Sequence, residues 1–178
     1  MSILFINGSP RRQGNTATLG NRLLTNIPHT TLNLADYQLN FAQDQRETKQ
    51  PQWDLTDDYE HLMTTYFAPA SDIILGTPVY WYGMTGQLKV FMDRWFDSFS
   101  HDFPFAGKRI YLLVIGADQP EIKATGITQA VRYSCDWLEM AFCGTGVVTA
   151  DGPQDVAHFA TLPVSCQALR QKIKTNAK

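Results

Sequence analysis

Ser2-Ile3-Leu4-Phe5-Ile6-Asn7-Gly8-Ser9-Pro10-Arg11-Arg12-Gln13-Gly14-Asn15-Thr16 is the stretch on which the fold of this chain turns. Its first part, Ser2–Ile6, is an almost purely apolar run with the length of a buried strand. Its second part is a polar turn punctuated by Gly8 and Gly14. Beyond the turn, residues 15–26 carry a helical period, with Leu19, Leu23 and Leu24 on one face. Strand, glycine-containing turn and helix in that order open a parallel α/β unit.

The same succession recurs to the end of the chain. Residues 30–34 form a weaker, more polar strand, and residues 35–53 are polar and irregular. A helix is predicted over 54–67, a strand over 72–76, and a helix over 85–99 with apolar positions 88, 91, 92, 95, 96 and 99. The longest strand is 109–116. Residues 122–142 read as one helix, with Ile127, Val131, Cys135, Leu138 and Phe142 in register and Gly144 as its stop. A short last strand covers 146–150, and Pro163 suits the first turn of a final helix running to about Thr175. Five alternations argue for a doubly wound parallel sheet. Strands buried on both faces read as continuous apolar runs, and edge strands tolerate polar residues. Strands one, three and four are the apolar ones here, so strands two and five belong at the edges. That selects a five-stranded parallel sheet of order 2-1-3-4-5. With 178 residues, and no repeat or linker, residues 1–178 are expected to form a single domain.

Composition excludes several classes. The apolar share of 44% against 18% charged residues is that of a packed globule, not a disordered chain. A net charge of −2 provides no basic field to draw the protein onto nucleic acid or an anionic membrane. The start of the chain has no cationic region before its apolar run, and no run approaches the roughly 18 residues needed to span a bilayer. A cytoplasmic protein is expected. Three cysteines cannot all pair with one another, so Cys135, Cys143 and Cys166 are read as buried free thiols. The four histidines lack metal-ligand spacing, and no metal is expected.

In an open α/β sheet, ligands bind beyond the carboxyl ends of the strands, where strand order reverses. Order 2-1-3-4-5 puts that point between strands one and three, at the loops 7–16 and 77–84. The first loop suits a phosphate monoester. Gly8 and Gly14 let the backbone bring N–H groups toward a ligand; Ser9, Thr16, Asn15 and Arg11 add side-chain donors. The helix that follows presents about half a positive charge. The loop has no Gly-Lys-Ser/Thr ending, no Gly-x-Gly-x-x-Gly turn and no cysteine nucleophile, which removes the competing phosphate motifs. The second loop, Thr77-Pro78-Val79-Tyr80-Trp81-Tyr82-Gly83-Met84, places three adjacent aromatics at the end of a buried strand. They suit either the faces of a planar ring such as isoalloxazine or a partner surface. A third segment, Gly116-Ala117-Asp118, follows strand four beside the same crevice; it reads either as an ordinary turn or as a contact for the ring edge. Residues 35–53 read as a lid, a partner contact or a disordered segment.

These residues resemble the NADPH-dependent FMN reductase family of the flavodoxin-like superfamily. Gly8-Ser9-Pro10-Arg11 followed by Gly14-Asn15-Thr16 resembles its FMN phosphate loop, and residues 77–84 resemble its flavin-ring loop. Gly86-Gln87-Leu88-Lys89 with Phe91-Met92-Asp93-Arg94 is similar to its Gly-x-Leu-Lys-x-Phe-x-Asp-Arg helix. The resemblance implies a flavodoxin-like three-layer α/β sandwich. It implies phosphate contacts from Ser9, Arg11, Gly14, Asn15 and Thr16, and ring contacts from Pro78, Val79, Tyr80, Trp81, Tyr82, Gly83 and Met84. Gly116, Ala117 and Asp118 would border the ring, although relatives often carry more glycine and serine there. Lys89, Asp93 and Arg94 would serve helix packing and dimer contacts. The implied activity is an FMN-dependent NAD(P)H oxidoreductase that reduces a small acceptor (a quinone, an azo or nitro compound, or a flavin) by ping-pong hydride transfer, with no side chain assigned to catalysis. NADPH or NADH would be the co-substrate, and a homodimer the assembly, with a tetramer as the alternative. A non-enzymatic electron carrier and a flavin-based sensor on the same fold are the rivals. Relatives with an iron–sulfur centre carry cysteines after strand two, and residues 35–53 contain none.

Overall fold

A computed structural model describes residues 2–47, 49 and 56–176. Five parallel strands lie in the order β2-β1-β3-β4-β5: β1 (Ile3–Asn7), β2 (Thr30–Asn33), β3 (Asp72–Pro78), β4 (Arg109–Gly116) and β5 (Ala141–Thr149). Every residue of β1 is buried, as is every residue of β3 but Pro78 and of β4 but Arg109. The edge strands β2 and β5 expose part of their length. The flavodoxin-like order read from strand polarity is the order the structure has.

Alternate residues of the central strands serve opposite faces. Leu4, Ile6, Ile73, Leu75, Ile110, Leu112 and Val114 pack beneath α2 (Tyr59–Leu62), α3 (Gly86–Asp93) and α6 (Thr125–Trp137). Ile3, Phe5, Ile74, Tyr111, Leu113 and Ile115 pack beneath α1 (Asn15–Leu23) and α7 (Val164–Asn176). Two apolar layers therefore enclose the sheet. The contact between α1 and β1 is close: a Cβ on Gly20 would stand 2.3 Å from the Phe5 ring.

Several element boundaries differ from the sequence reading. The region 122–142 is not one helix. A short α5 (Pro120–Lys123) precedes α6, which stops at Trp137, and Glu139 then takes a left-handed turn (φ 55°) while Met140 N–H bonds to Cys135 O. The chain next enters β5 at Ala141, so Phe142 pairs with Ile110 and Gly144 (φ 136°) sits at a bulge instead of stopping a helix. The reason is tertiary: β4 is long, and its open edge offers backbone partners from residue 141 onward that outweigh the helical period of 141 and 142. The helix at 85–99 breaks at Arg94 into α3 and α4 (Trp95–Phe99). Within 54–67 the described helix begins at Tyr59; residues 54 and 55 lie outside the described residues. It widens after Leu62 into a π-helical stretch, Met63–Phe67, where Ala68 N–H reaches Met63 O at 2.8 Å.

Polar groups at the amino end of the sheet are paired within the protein. Asp72, fully buried, accepts from Arg109 at 2.7 and 2.6 Å and from the Tyr111 hydroxyl at 3.0 Å, which in turn accepts from Asn176 at 2.9 Å. Burial, chiefly, pushes the Tyr111 phenol well above its ordinary pKa. Lys108 donates to the carbonyls of Phe67, Ala68 and Ala70 at 3.2, 2.7 and 2.9 Å, closing the end of the π-helical stretch. Arg94 is also interior. It pairs with Asp57 at 2.7 Å and with Asp97, lies 4.5 Å from the Tyr59 ring centre, and donates to Asn40 O. Burial pulls the Arg94 pKa down, and the Asp97 and Asp57 carboxylates outweigh it. Arg94 thus ties Asn40 and Asp57 to α3 and α4, whereas Lys89 and Asp93 pair on the exposed side of α3.

Candidate functional site

Asn7 ends β1 beside Gly76 of β3, and the loops that follow these two strands are stitched together. Gly8 N–H bonds to Gly76 O at 2.8 Å. Thr85, buried, caps α3 through Leu88 N–H and donates its hydroxyl to Gly8 O at 2.5 Å; its own N–H bonds to the Thr77 hydroxyl. A single capping threonine therefore joins both loops to one helix start. Gly8 leaves no room for a side chain, since a Cβ would meet Gly76 O and Leu88 Cβ at 2.9 Å each. The sequence reading brought loops 7–16 and 77–84 together but passed over Thr85, whose signal was a Thr immediately before the apolar helical period.

The first loop is pre-shaped from within. Asn7 Oδ1 accepts from Ser9 N–H at 3.1 Å, an Asx turn, and Asn7 Nδ2 donates to Asn33 at 3.0 Å. Ser9 is buried and its hydroxyl accepts from Arg11 N–H at 3.1 Å, leaving the hydroxyl proton for an outside acceptor. Gly14 precedes α1 with extended backbone and no side-chain cap. Among the described residues, no protein acceptor is recorded for the N–H groups of Asn15, Thr16 and Ala17, the first turn of α1. Arg11 is exposed and its guanidinium has no protein partner among the described residues, and Arg12 pairs with Asp36. Thr16 is buried, its methyl against the Gly76 position. Asn15 differs from the rest: its side chain donates to Gly152 O at 2.7 Å and accepts from Val156 N–H at 3.2 Å. Its amide is thus engaged with the loop after β5. That loop, residues 150–156, went unnoticed in the sequence; Asp155 shapes it by accepting from Asp151 and Gly152 N–H groups at 2.9 and 2.6 Å.

The second loop divides its residues between two tasks. Val79 and Met84 pack against the core, and Val79 N–H bonds to Ile115 O at 2.7 Å; Pro78 and Gly83 are half-buried. Between them Tyr80 and Gly83 exchange both backbone hydrogen bonds, at 2.9 and 3.0 Å, around Trp81 (φ 49°) and Tyr82 (φ 62°). This is a two-residue turn with left-handed backbone at both central positions, where Asn-Gly is the usual occupant. It presents Trp81 at 96% exposure, with Tyr80 and Tyr82 about half exposed. Val79, Trp81 and Tyr82 line a cavity of about 210 Å³ with Gly116, Ala117, Asp118 and Pro120. The segment after β4 is therefore brought to the same crevice. Asp118 accepts from Lys123 and from the Tyr82 hydroxyl, in that order of effect, and they hold its carboxyl below the ordinary carboxylate range.

An anion-sized set of free donors thus lies one strand away from an exposed aromatic turn. The model of the family described as NADPH-dependent FMN reductase matches residues 1–155. This chain belongs to that family. It is 28% identical over 162 residues to the putative NAD(P)H-dependent FMN-containing oxidoreductase YwqN of Bacillus subtilis, covering 88% of this chain and 89% of the relative. It is 36% identical over 103 residues to the iron–sulfur flavoprotein MJ1083 of Methanocaldococcus jannaschii, covering 53% and 51%. Among solved structures, the Trp repressor binding protein from Bacillus subtilis superposes with a TM-score of 0.75 at 24% identity, over 97% of each chain. A FMN-dependent NADH-azoreductase from Bacillus anthracis, in complex with FMN, does so with 0.70 at 11% identity over 100% of each. These last two show the fold. Family membership makes the chain an NAD(P)H-dependent FMN oxidoreductase. The donor set suits its cofactor: N–H groups and a guanidinium without partners among the described residues, with the Ser9 hydroxyl proton, are the donors a phosphate monoester would require. Among the described residues no helix is long and apolar enough to cross a membrane.

Proposed function

We propose that residues 1–178 form one FMN-binding domain that reduces a small planar acceptor at the expense of NADPH or NADH, in two half-reactions that share one cleft. The observation that carries the reading is the junction at Thr85, which joins an unpaired phosphate-sized donor set to an exposed aromatic turn. In this reading Ser9, Arg11, Gly14 and Thr16 hold the phosphate, with Asn15 contributing its backbone N–H while its side chain braces residues 150–156. Pro78, Val79, Tyr80, Trp81, Tyr82, Gly83 and Met84 border the ring on one side and Gly116, Ala117 and Asp118 on another. FMN, when bound, supplies the hydride chemistry. The protein supplies position and a partly dry wall. The exposure of Trp81 and Tyr80 suits them to stack on a flat co-substrate.

A second copy of the chain is the partner this reading expects. Phe96, Phe99, Tyr133 and Trp137 are exposed around a groove of about 350 Å³ between α4 and α6. Trp95 lines the same groove, and its buried indole N–H has no acceptor among the described residues. Burial of such a patch against a symmetry mate would produce the homodimer.

The decisive experiment is to denature the purified protein, identify the released chromophore, and then follow oxidation of NADPH and NADH with a quinone, an azo dye, a nitroaromatic compound and free FMN. The expected result is FMN and parallel double-reciprocal lines with at least one acceptor. A protein that takes up no FMN from excess overturns the reading. One that binds FMN but oxidises neither nicotinamide would be a carrier or a sensor.

A further inference from the structure

The loops on either side of the 210 Å³ cavity both hold non-glycine residues in the left-handed region: Trp81 and Tyr82 on one, Gln119 (φ 46°) on the other. Side chains disfavour that backbone, and strained conformations persist only where the surroundings over-determine them. The two hydrogen bonds between Tyr80 and Gly83 close the turn, but Trp-Tyr carries none of the Asn-Gly preference that would select its hand. Something outside the turn has to. Tyr82 Oη donates to Asp118 Oδ2 at 3.0 Å, and Lys123 Nζ, on α5, donates to Asp118 Oδ1 at 2.6 Å. Both oxygens of one carboxylate are thus used, and the chain of contacts runs from the turn, across the cavity mouth, to a helix. Among the described residues, the Tyr82–Asp118 bond is the recorded side-chain hydrogen bond between these two loops.

We propose that Asp118 and Lys123 are positioning residues that hold the Tyr80–Gly83 turn in its left-handed form and thereby orient Tyr80 and Trp81 as the platform for a planar co-substrate. Asp118 then acts on the turn through Tyr82. The use of the platform rests on the flavin reading of the cleft, whereas the clamp is a property of the chain alone. Two measurements keep these apart. Hydrogen exchange at the Tyr80 and Gly83 amides of the FMN-free protein reads the clamp. In Asp118→Ala, Tyr82→Phe and Lys123→Met it is expected to accelerate about five-fold, the scale of one lost charge-assisted hydrogen bond at a surface site, with Lys123→Arg near wild type. In the FMN-loaded protein, the ratio of kcat/KM for a planar quinone to that for ferricyanide is expected to fall about five-fold in the same three variants.

Unaltered exchange at both amides in folded Asp118→Ala and Tyr82→Phe would overturn the clamp. Faster exchange with a constant quinone-to-ferricyanide ratio would overturn the platform. A wild-type protein that binds no FMN would remove the flavin reading and the platform with it, and the exchange rates would still decide the clamp.

Discussion

The two ends of this sheet treat polar groups in opposite ways. At the amino end, Asp72, Arg109, Tyr111 and Asn176 satisfy one another, and Lys108 spends its donors on three carbonyls. At the carboxyl end, the first-turn N–H groups of α1 and the Arg11 guanidinium have no protein acceptor among the described residues, and the Trp81 indole stands in solvent on left-handed backbone. Buried polar groups that are paired contribute to the uniqueness of a core; those left unpaired and reachable are kept for a ligand. The contrast sets a self-paired end apart from the end proposed to take the ligand.

Substitutions at the two ends should therefore separate stability from binding. The largest effect is expected for Asp72→Ala, which removes the buried carboxylate to which Arg109 and the Tyr111 hydroxyl donate and should cost about 3 kcal/mol in denaturant unfolding. FMN affinity of the folded fraction should stay the same; a matching loss of FMN affinity would break the division of labour. Next comes Gly20→Ala, whose methyl would press on the Phe5 ring that joins α1 to the sheet. It should cost about 2 kcal/mol and also weaken FMN, since α1 connects scaffold to site.

Within the site, Arg11→Ala should weaken FMN about ten-fold, measured by fluorescence titration, with little change in Tm. Asn15→Ala should do the reverse, lowering Tm by roughly 2–4 °C because it releases residues 150–156. Equal losses of FMN affinity in the two would return the Asn15 side chain to the phosphate. The smallest effect is expected for Trp81→Gly. Removing a side chain from left-handed backbone should raise stability by about 1 kcal/mol while kcat/KM for a planar acceptor falls. Lower stability would show that the indole is held by contacts and not merely tolerated.

Much of this molecule was legible before folding. The uneven polarity of the strands specified both edge strands, because a strand covered on two faces cannot carry Thr30 and Thr31 as an edge strand can. Glycine spacing and the helix start marked the loop proposed for the phosphate, since backbone donors need little from side chains beyond room. The boundary of β5 was not legible. Residues 141 and 142 continue a helical period, and only the open edge of β4 draws them into the sheet. Asn15 was legible as a donor but not as a brace, because its partners Gly152 and Val156 are far along the chain. The same holds for Thr85 and for the Tyr82–Asp118–Lys123 clamp.

Taken by itself, the sequence determined the succession of five strands, their order in the sheet, and which two turns meet at the reversal of strand order. These follow from periodicity and solvent exposure, which act residue by residue along the chain. Tertiary structure alone decided which polar side chains are spent on the protein and which remain free, and which hand the aromatic turn adopts. Those outcomes depend on partners brought together from distant positions, and a hydrogen bond has no existence until both of its ends arrive.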